Sequence, residues 1–155
     1  LMKFDYIRVT QFNDKHQSIS HIRPWIRVGV FNPDYPDSVI YSLSLIDSGS
    51  DISFFTNEIG EILKFEIKKG HPALVNGVGG GNITIYMHQV GIIFEDLKTS
   101  ELIKFTDLIG FSTKEFPPSM PQQTGILGTL GFSRNVEVAF KYPKEIILKT
   151  NTSLN

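Results

Sequence analysis

A strand of alternating apolar and small polar side chains that ends on a carboxylate constrains this chain more than any other feature. Leu43 and Leu45 alternate with serines, Ile46 extends the apolar run, and Asp47-Ser48-Gly49 follows at once, before Ser50-Asp51-Ile52-Ser53. Period-two alternation marks a strand with one buried face. A carboxylate placed where a core strand ends is costly to bury unless hydrogen bonds or a partner group stabilise it. Gly49 lets the backbone turn sharply or approach another chain closely. Taken alone, Asp-Ser-Gly also fits a plain turn whose carboxylate caps nearby backbone N–H groups.

Two downstream segments bear on that choice. Val75-Asn76-Gly77-Val78-Gly79-Gly80-Gly81 is a glycine-rich tip followed by the strand-like Ile83-Thr84-Ile85-Tyr86-Met87, and Gly125-Ile126-Leu127-Gly128 places two bulky aliphatics before a glycine. In this order the three segments resemble the retropepsin-like aspartic protease family, over roughly residues 24–149. The resemblance implies a retropepsin-like (acid protease) closed β-barrel, with Asp47 as the catalytic acid. It also implies that Ser48 bonds across a dimer axis and that Gly49 presents backbone to the acids. Gly77, Val78, Gly79, Gly80 and Gly81 would form a flap over an extended peptide, and Ile126, Leu127 and Gly128 would brace the acidic loop. Relatives often follow the last glycine with Arg, paired to the acid two residues after the active-site glycine. That acid is Asp51 here, but Thr129 stands in the Arg place, leaving Arg8, Arg27 or Arg134 as substitutes, or a solvated Asp51.

Peptide hydrolysis by water needs one group to take a proton and another to give one. Two carboxylates sharing one proton do both, because close like charges do not both ionise easily. Asp34, Asp37, Asp96 and Asp107 lack a glycine two positions on, so the second acid must come from a second copy of the chain. The expected function is therefore an aspartic endopeptidase active as a homodimer on peptide or protein substrates. The alternative is a binding or scaffold module that keeps the barrel without the chemistry.

The totals remove other classes. With 155 residues and a net charge of −1, the chain reads as a single domain without a field of one sign for nucleic acid or an anionic membrane. It has no cysteine, which excludes disulfides, thiol nucleophiles and cysteine-based zinc sites. His16, His21, His71 and His88 include no pair at i, i+4 spacing, so neither a metal nor another cofactor is expected. Gly77-Val78-Gly79 fails as a dinucleotide fingerprint because position 82 is Asn and a strand follows. Gly131-Phe132-Ser133-Arg134-Asn135 lacks the closing glycine of a nucleophile elbow. No apolar run approaches the roughly 20 residues that span a bilayer, and no leader-like segment opens the chain, which favours a cytoplasmic location. Leu1-Met2 suggests a domain cut from a longer protein.

Within residues 1–155, the expected parts are an N-terminal strand and loop (1–23), a core (24–149) and a polar tail (150–155). Phe4–Val9 reads as a strand and Gln11–His21 as loop. Pro24–Phe31 and Val39–Ile46 read as a hairpin around the proline-bearing turn 32–37. Thr56 to Leu63 offers a short helix weakened by Gly60, and Phe65–Lys69 a strand. Residues 73–94 form the flap hairpin, Leu102–Phe105 pairs back, and 112–123 is loop. Thr129–Arg134 reads as a second short helix, and Val136–Phe140 with Ile146–Leu148 as a final hairpin. The predicted class is mainly β, a closed barrel with one or two short helices.

Overall fold

Alternation along Trp25–Phe31 (β4) puts Ile26, Val28 and Val30 inward, each at most 1% exposed, and this row begins the core. A computed structural model describes residues 1–77, 81–116 and 124–152. Before β4 come Met2–Asp5 (β1), Ile7–Phe12 (β2) and Ser18–Arg23 (β3). After it come Val39–Ile46 (β5), Phe54–Phe55 (β6), the helix Asn57–Ile62 (α1), a 3-10 turn at Ile67–Lys69, His71–Asn76 (β7) and Asn82–Glu95 (β8). Leu102–Ser112 (β9), Thr124–Leu127 (β10), Val136–Lys141 (β11) and Glu145–Thr150 (β12) complete the order.

The main sheet runs β4-β5-β10-β6-β9-β8-β7, and a further β4–β8 pairing closes β4 through β8 into a ring. Closure removes the edges that an open sheet would expose. The mainly β, closed-barrel class expected from the sequence is the class observed. Beside the barrel, β1-β12-β11 form a three-stranded sheet, and β2–β3 form a separate hairpin. The barrel is filled by Phe55, Phe94, Phe111, Phe132, Ile92 and Ile109, all fully buried, with Ile59 and Leu63 of the helix region packed into the same cluster.

The expected β4–β5 hairpin forms in antiparallel register from Trp25↔Leu45 to Phe31↔Val39. The final hairpin forms from Val136↔Thr150 to Lys141↔Glu145, so the tail begins one residue later than expected. Four element assignments expected from the sequence fail. Gln11–His21 is not loop: β2 and β3 pair from Ile7↔Arg23 to Phe12↔Ser18. Asn13 closes their turn, its Oδ1 accepting the N–H groups of Lys15 and Gln17 at 3.0 and 2.9 Å. The strand expected at Phe4–Val9 breaks at Tyr6, between β1 and β2. Phe65–Lys69 is not a strand either, since Ile67–Lys69 is a 3-10 turn whose Ile67 carbonyl lies 2.8 Å from His88 Nε2. Thr129–Arg134 is not a helix. Its Thr129 and Leu130 N–H groups bond outward to Ser50 and Asp51, and Gly131 has φ +87°, which interrupts right-handed helical geometry.

Phe55 sits in the short β6 at the junction where β10 and β9 join the ring and is fully buried. Phe55→Ala should cost about 3–5 kcal/mol, the usual loss for emptying a large core aromatic site. Urea unfolding of parent and variant measures this as a lower midpoint at unchanged slope.

Candidate active site

Asp47 leaves the end of β5 with its backbone fixed on both sides. Ile46 donates its N–H to the Pro24 carbonyl at 3.1 Å, and Asp47 donates to the Leu127 carbonyl at 3.0 Å. The second bond continues the parallel ladder in which Leu45 pairs with Ile126 and Ile46 with Leu127. Beyond the acid the chain turns tightly. Ser50 donates to the Asp47 carbonyl at 3.1 Å, and Asp47 Oδ1 accepts the Gly49 N–H at 3.0 Å. Among the described residues, Asp47 Oδ2 has no hydrogen-bond partner. Asp47 is half-buried, whereas Ser48 and Gly49 are exposed at the tip. The capping bond of a plain Asp-Ser-Gly turn is thus present, and it occupies one carboxylate oxygen.

The loop rests on the segment after β10. Thr129 donates to the Ser50 carbonyl and Leu130 to that of Asp51, both at 2.9 Å, and Ser53 N–H donates to Leu130 at 2.9 Å. Ser53 Oγ accepts the Gly128 N–H at 2.9 Å and donates to the Leu130 carbonyl at 2.8 Å. A Cβ at residue 128 would lie 2.4 Å from the Ile52 carbonyl oxygen and 2.6 Å from that of Ser50. These are backbone atoms of the loop itself, so only glycine fits. Ile126 and Leu127 are buried, 6% and 1% exposed, on opposite sides of β10: Leu127 belongs to the main core and Ile126 to a second apolar cluster.

That second cluster links β7 and β8 to the acidic loop. Ala73 and Val75 of β7 and Ile83 of β8 pack against it, as do Leu45 and Ile52 on either side of Asp47. The arms pair from His71↔Met87 to Asn76↔Asn82, and Gly77 N–H donates to the Gly81 carbonyl at 2.8 Å across the base of the tip. Val78, Gly79 and Gly80 lie outside the described residues. Pro72 is accommodated because β7 is an edge strand.

The arginines do not serve Asp51. Arg134 Nε donates to Asp107 Oδ2 at 2.7 Å and its Nη2 donates to Oδ1, a two-pronged pair that Asn135 Nδ2 joins. Arg27 lies 4.0 Å from Glu95 and 3.6 Å over the Tyr41 ring. Asp51 is exposed, and neither it nor Arg8 forms an ion pair among the described residues. Burial pushes the Asp107 carboxyl up. The bonds from Arg134, Asn135 and the Leu108 N–H, together with the Arg134 charge, outweigh it and hold Asp107 below the usual carboxylate range. Sequence reasoning missed both Ser53 and the Asp107–Arg134 pair. A signal for the pair was available, since an acid inside the apolar run of β9 needs a cation.

No group of metal-ligating side chains is clustered among the described residues, and no helix among them is long and apolar enough to cross a membrane. No family model matches the sequence, and no curated protein matches it. Among solved structures, the chain is similar to a retropepsin-like aspartic protease from Rickettsia conorii. The two share 12% identity over 93% of this chain and 99% of that one, with a TM-score of 0.49. It is also similar to EIAV protease complexed with the inhibitor HBY-793, at 23% identity over 68% of this chain and 81% of that one, with a TM-score of 0.35.

Two expectations follow. Gly128→Ala should cost about 3 kcal/mol, at the upper end of overpacking penalties, as read by denaturant unfolding. Asp107 has a depressed folded pKa, so its stabilisation is full above the ordinary carboxylate value and is lost as pH falls through the folded value. Asp107→Asn should lose about 2–4 kcal/mol at neutral pH, the exposed half of Arg134 softening the loss. Between pH 5 and 3 the parent's unfolding midpoint should then fall more steeply than the variant's.

Proposed function

We propose that the chain is an aspartic endopeptidase that works as a homodimer, with Asp47 from each copy forming the catalytic pair. The observation that carries this reading is the mounting of Asp47. Its backbone is tied to Leu127, its loop is seated on Gly128–Leu130, and one carboxylate oxygen has no partner among the described residues. An acid held this way at a strand end is positioned for chemistry before substrate arrives.

In the mechanism, two Asp47 carboxyl groups meet across a two-fold axis and share one proton. The ionised member takes a proton from a water molecule as that water attacks the scissile carbonyl carbon. The protonated member gives its proton to the carbonyl oxygen, forming a gem-diol. As the gem-diol collapses, one of its hydroxyls returns a proton to the ionised member and the C–N bond breaks. The amine leaves with the proton held by the other member, so the pair again shares one proton. Ser48 would bond across the axis, and the Gly49 backbone would face the acids. The segment Gly77–Gly81, with Val78, Gly79 and Gly80 at its tip, would close over the peptide and exclude water. Substrate would lie extended along the cleft, pairing as an added strand. Ile126, Leu127 and Gly128 would brace the loop from behind. Residues 24–149 would carry this core within a single domain.

Asp47→Asn tests the assignment, because the amide neither shares nor abstracts the proton. Cleavage of a peptide library should fall by about a thousandfold or more, with the fold and the ability to dimerise retained. Cleavage at the parent rate would reject the reading. The rate of the parent should follow a bell on the acidic side of neutral, since both fully protonated and fully ionised pairs are inactive. A second reading, a binding or scaffold module, draws on one observation: Arg134 is committed to Asp107, so no in-chain arginine steadies Asp51. Peptide binding without turnover by the dimeric parent would favour it.

A further inference from the structure

Among the described residues the β2–β3 hairpin pairs with no other strand, and burial fades from its root to its tip, where Phe12 is 73% exposed and Ile19 44%. A two-stranded ribbon is marginal in water without a surface to lie on. Its root is placed at the acid. The antiparallel register Trp25↔Leu45 continues through the Ile46 N–H to Pro24 carbonyl bond, so the next residue outward, Arg23, leaves the barrel at the rim where Asp47 emerges. Arg23 is paired with Ile7 at the base of the hairpin. The ribbon is therefore a continuation of β4 beyond the barrel, on the side where the proposed pair of acids would form.

Its two faces differ. Ile7, Val9, Ile19, His21 and Arg23 share one face by register, whereas Arg8, Thr10, Phe12, Ser18, Ser20 and Ile22 share the other. The ribbon carries Arg8, Lys15 and Arg23 against the single acid Asp14, and neither arginine has an ion pair among the described residues. The loop at its root carries Asp47 and Asp51 and no cation. Two such loops brought together would repel through four carboxylates unless cations came with them.

We propose that the hairpin is a dimerisation arm, whose Ile7, Val9, Ile19 and Arg23 face lies over the acidic loop region of a second copy. This rests on the homodimer reading above. By two-fold symmetry each copy both gives and receives an arm, so the cations offset the charge that the paired acids accumulate. The arm also buries Ile19, 44% exposed in a lone chain, and completes the burial of the half-buried Ile7 and Val9.

Sedimentation equilibrium of the full chain tests it. Ile19→Glu with Arg23→Glu should weaken the dimer by about tenfold or more, whereas Phe12→Ser on the opposite face should stay within about twofold. Because Ile7 and Arg23 are cross-strand partners, residues 8–22 can also be replaced by a two-residue turn. That variant should melt like the parent yet sediment as a monomer, which separates loss of the arm from loss of the fold. Added salt should weaken the parent dimer. The proposal is overturned if the doubly substituted or shortened chain dimerises like the parent, if Phe12→Ser weakens the dimer equally, or if the parent is monomeric throughout. In the first two cases, cleavage that still depends on Asp47 leaves the catalytic reading standing. A monomeric parent removes both.

Discussion

The parallel ladder between β5 and β10 is the constraint on which the candidate site depends. It joins segments about 80 residues apart in the chain and continues past both strand ends as bonds from Asp47 to Leu127, Thr129 to Ser50 and Leu130 to Asp51. Backbone groups so paired are not free to rearrange without exposing unsatisfied partners. Gly128 makes the close approach possible, and Ser53 ties the two segments through one hydroxyl that both accepts and donates. The acidic loop is therefore an extension of the barrel wall, which gives Asp47 a fixed backbone on an exposed rim.

Charge is divided between two places with different tasks. The buried Asp107 and the half-exposed Arg134 form a two-pronged pair that ties the turn after Gly128 to β9. It is distinct from the acids at the rim. Of these, Asp47 is half-buried, with one oxygen unpartnered among the described residues, and Asp51 is exposed. Among the described residues neither acid is joined to a cation by an ion pair, although Arg23 leaves the barrel at the same rim.

Much of the barrel was legible because its strands have one buried face. Ile26, Val28 and Val30 in β4 announce their register by period two. In β5 the alternation names the wrong face: Ser44 is fully buried, whereas Leu43 is 41% exposed and Leu45 half-buried, because the row shared with the buried Ile46 is the one that faces the core. The β2–β3 hairpin was not legible for the converse reason: Ser18-Ile19-Ser20-His21 is exposed on both faces, so no apolar pattern marks it. Phe65 and Ile67 alternate as a strand would, but Ile67 is buried within a 3-10 turn, and two residues cannot separate the possibilities. The helix read after Gly128 failed because Gly131 turns to φ +87°, which breaks right-handed helical geometry after two residues. Asp47 stood out as an anomaly in the sequence. The parallel pairing that holds it, and the role of Ser53, depend on contacts between distant segments that local pattern cannot carry.

The pairing of two acids from two chains is tested most directly by mixing parent with an excess of Asp47→Asn chains and following cleavage after subunits have exchanged. If each active unit needs Asp47 from both copies, mixed dimers are dead. A ninefold excess of the variant should then lower the activity of a fixed amount of parent by about tenfold, as random pairing requires. Activity that stays constant as the variant is added would mean that a single Asp47 suffices, and would contradict the shared pair.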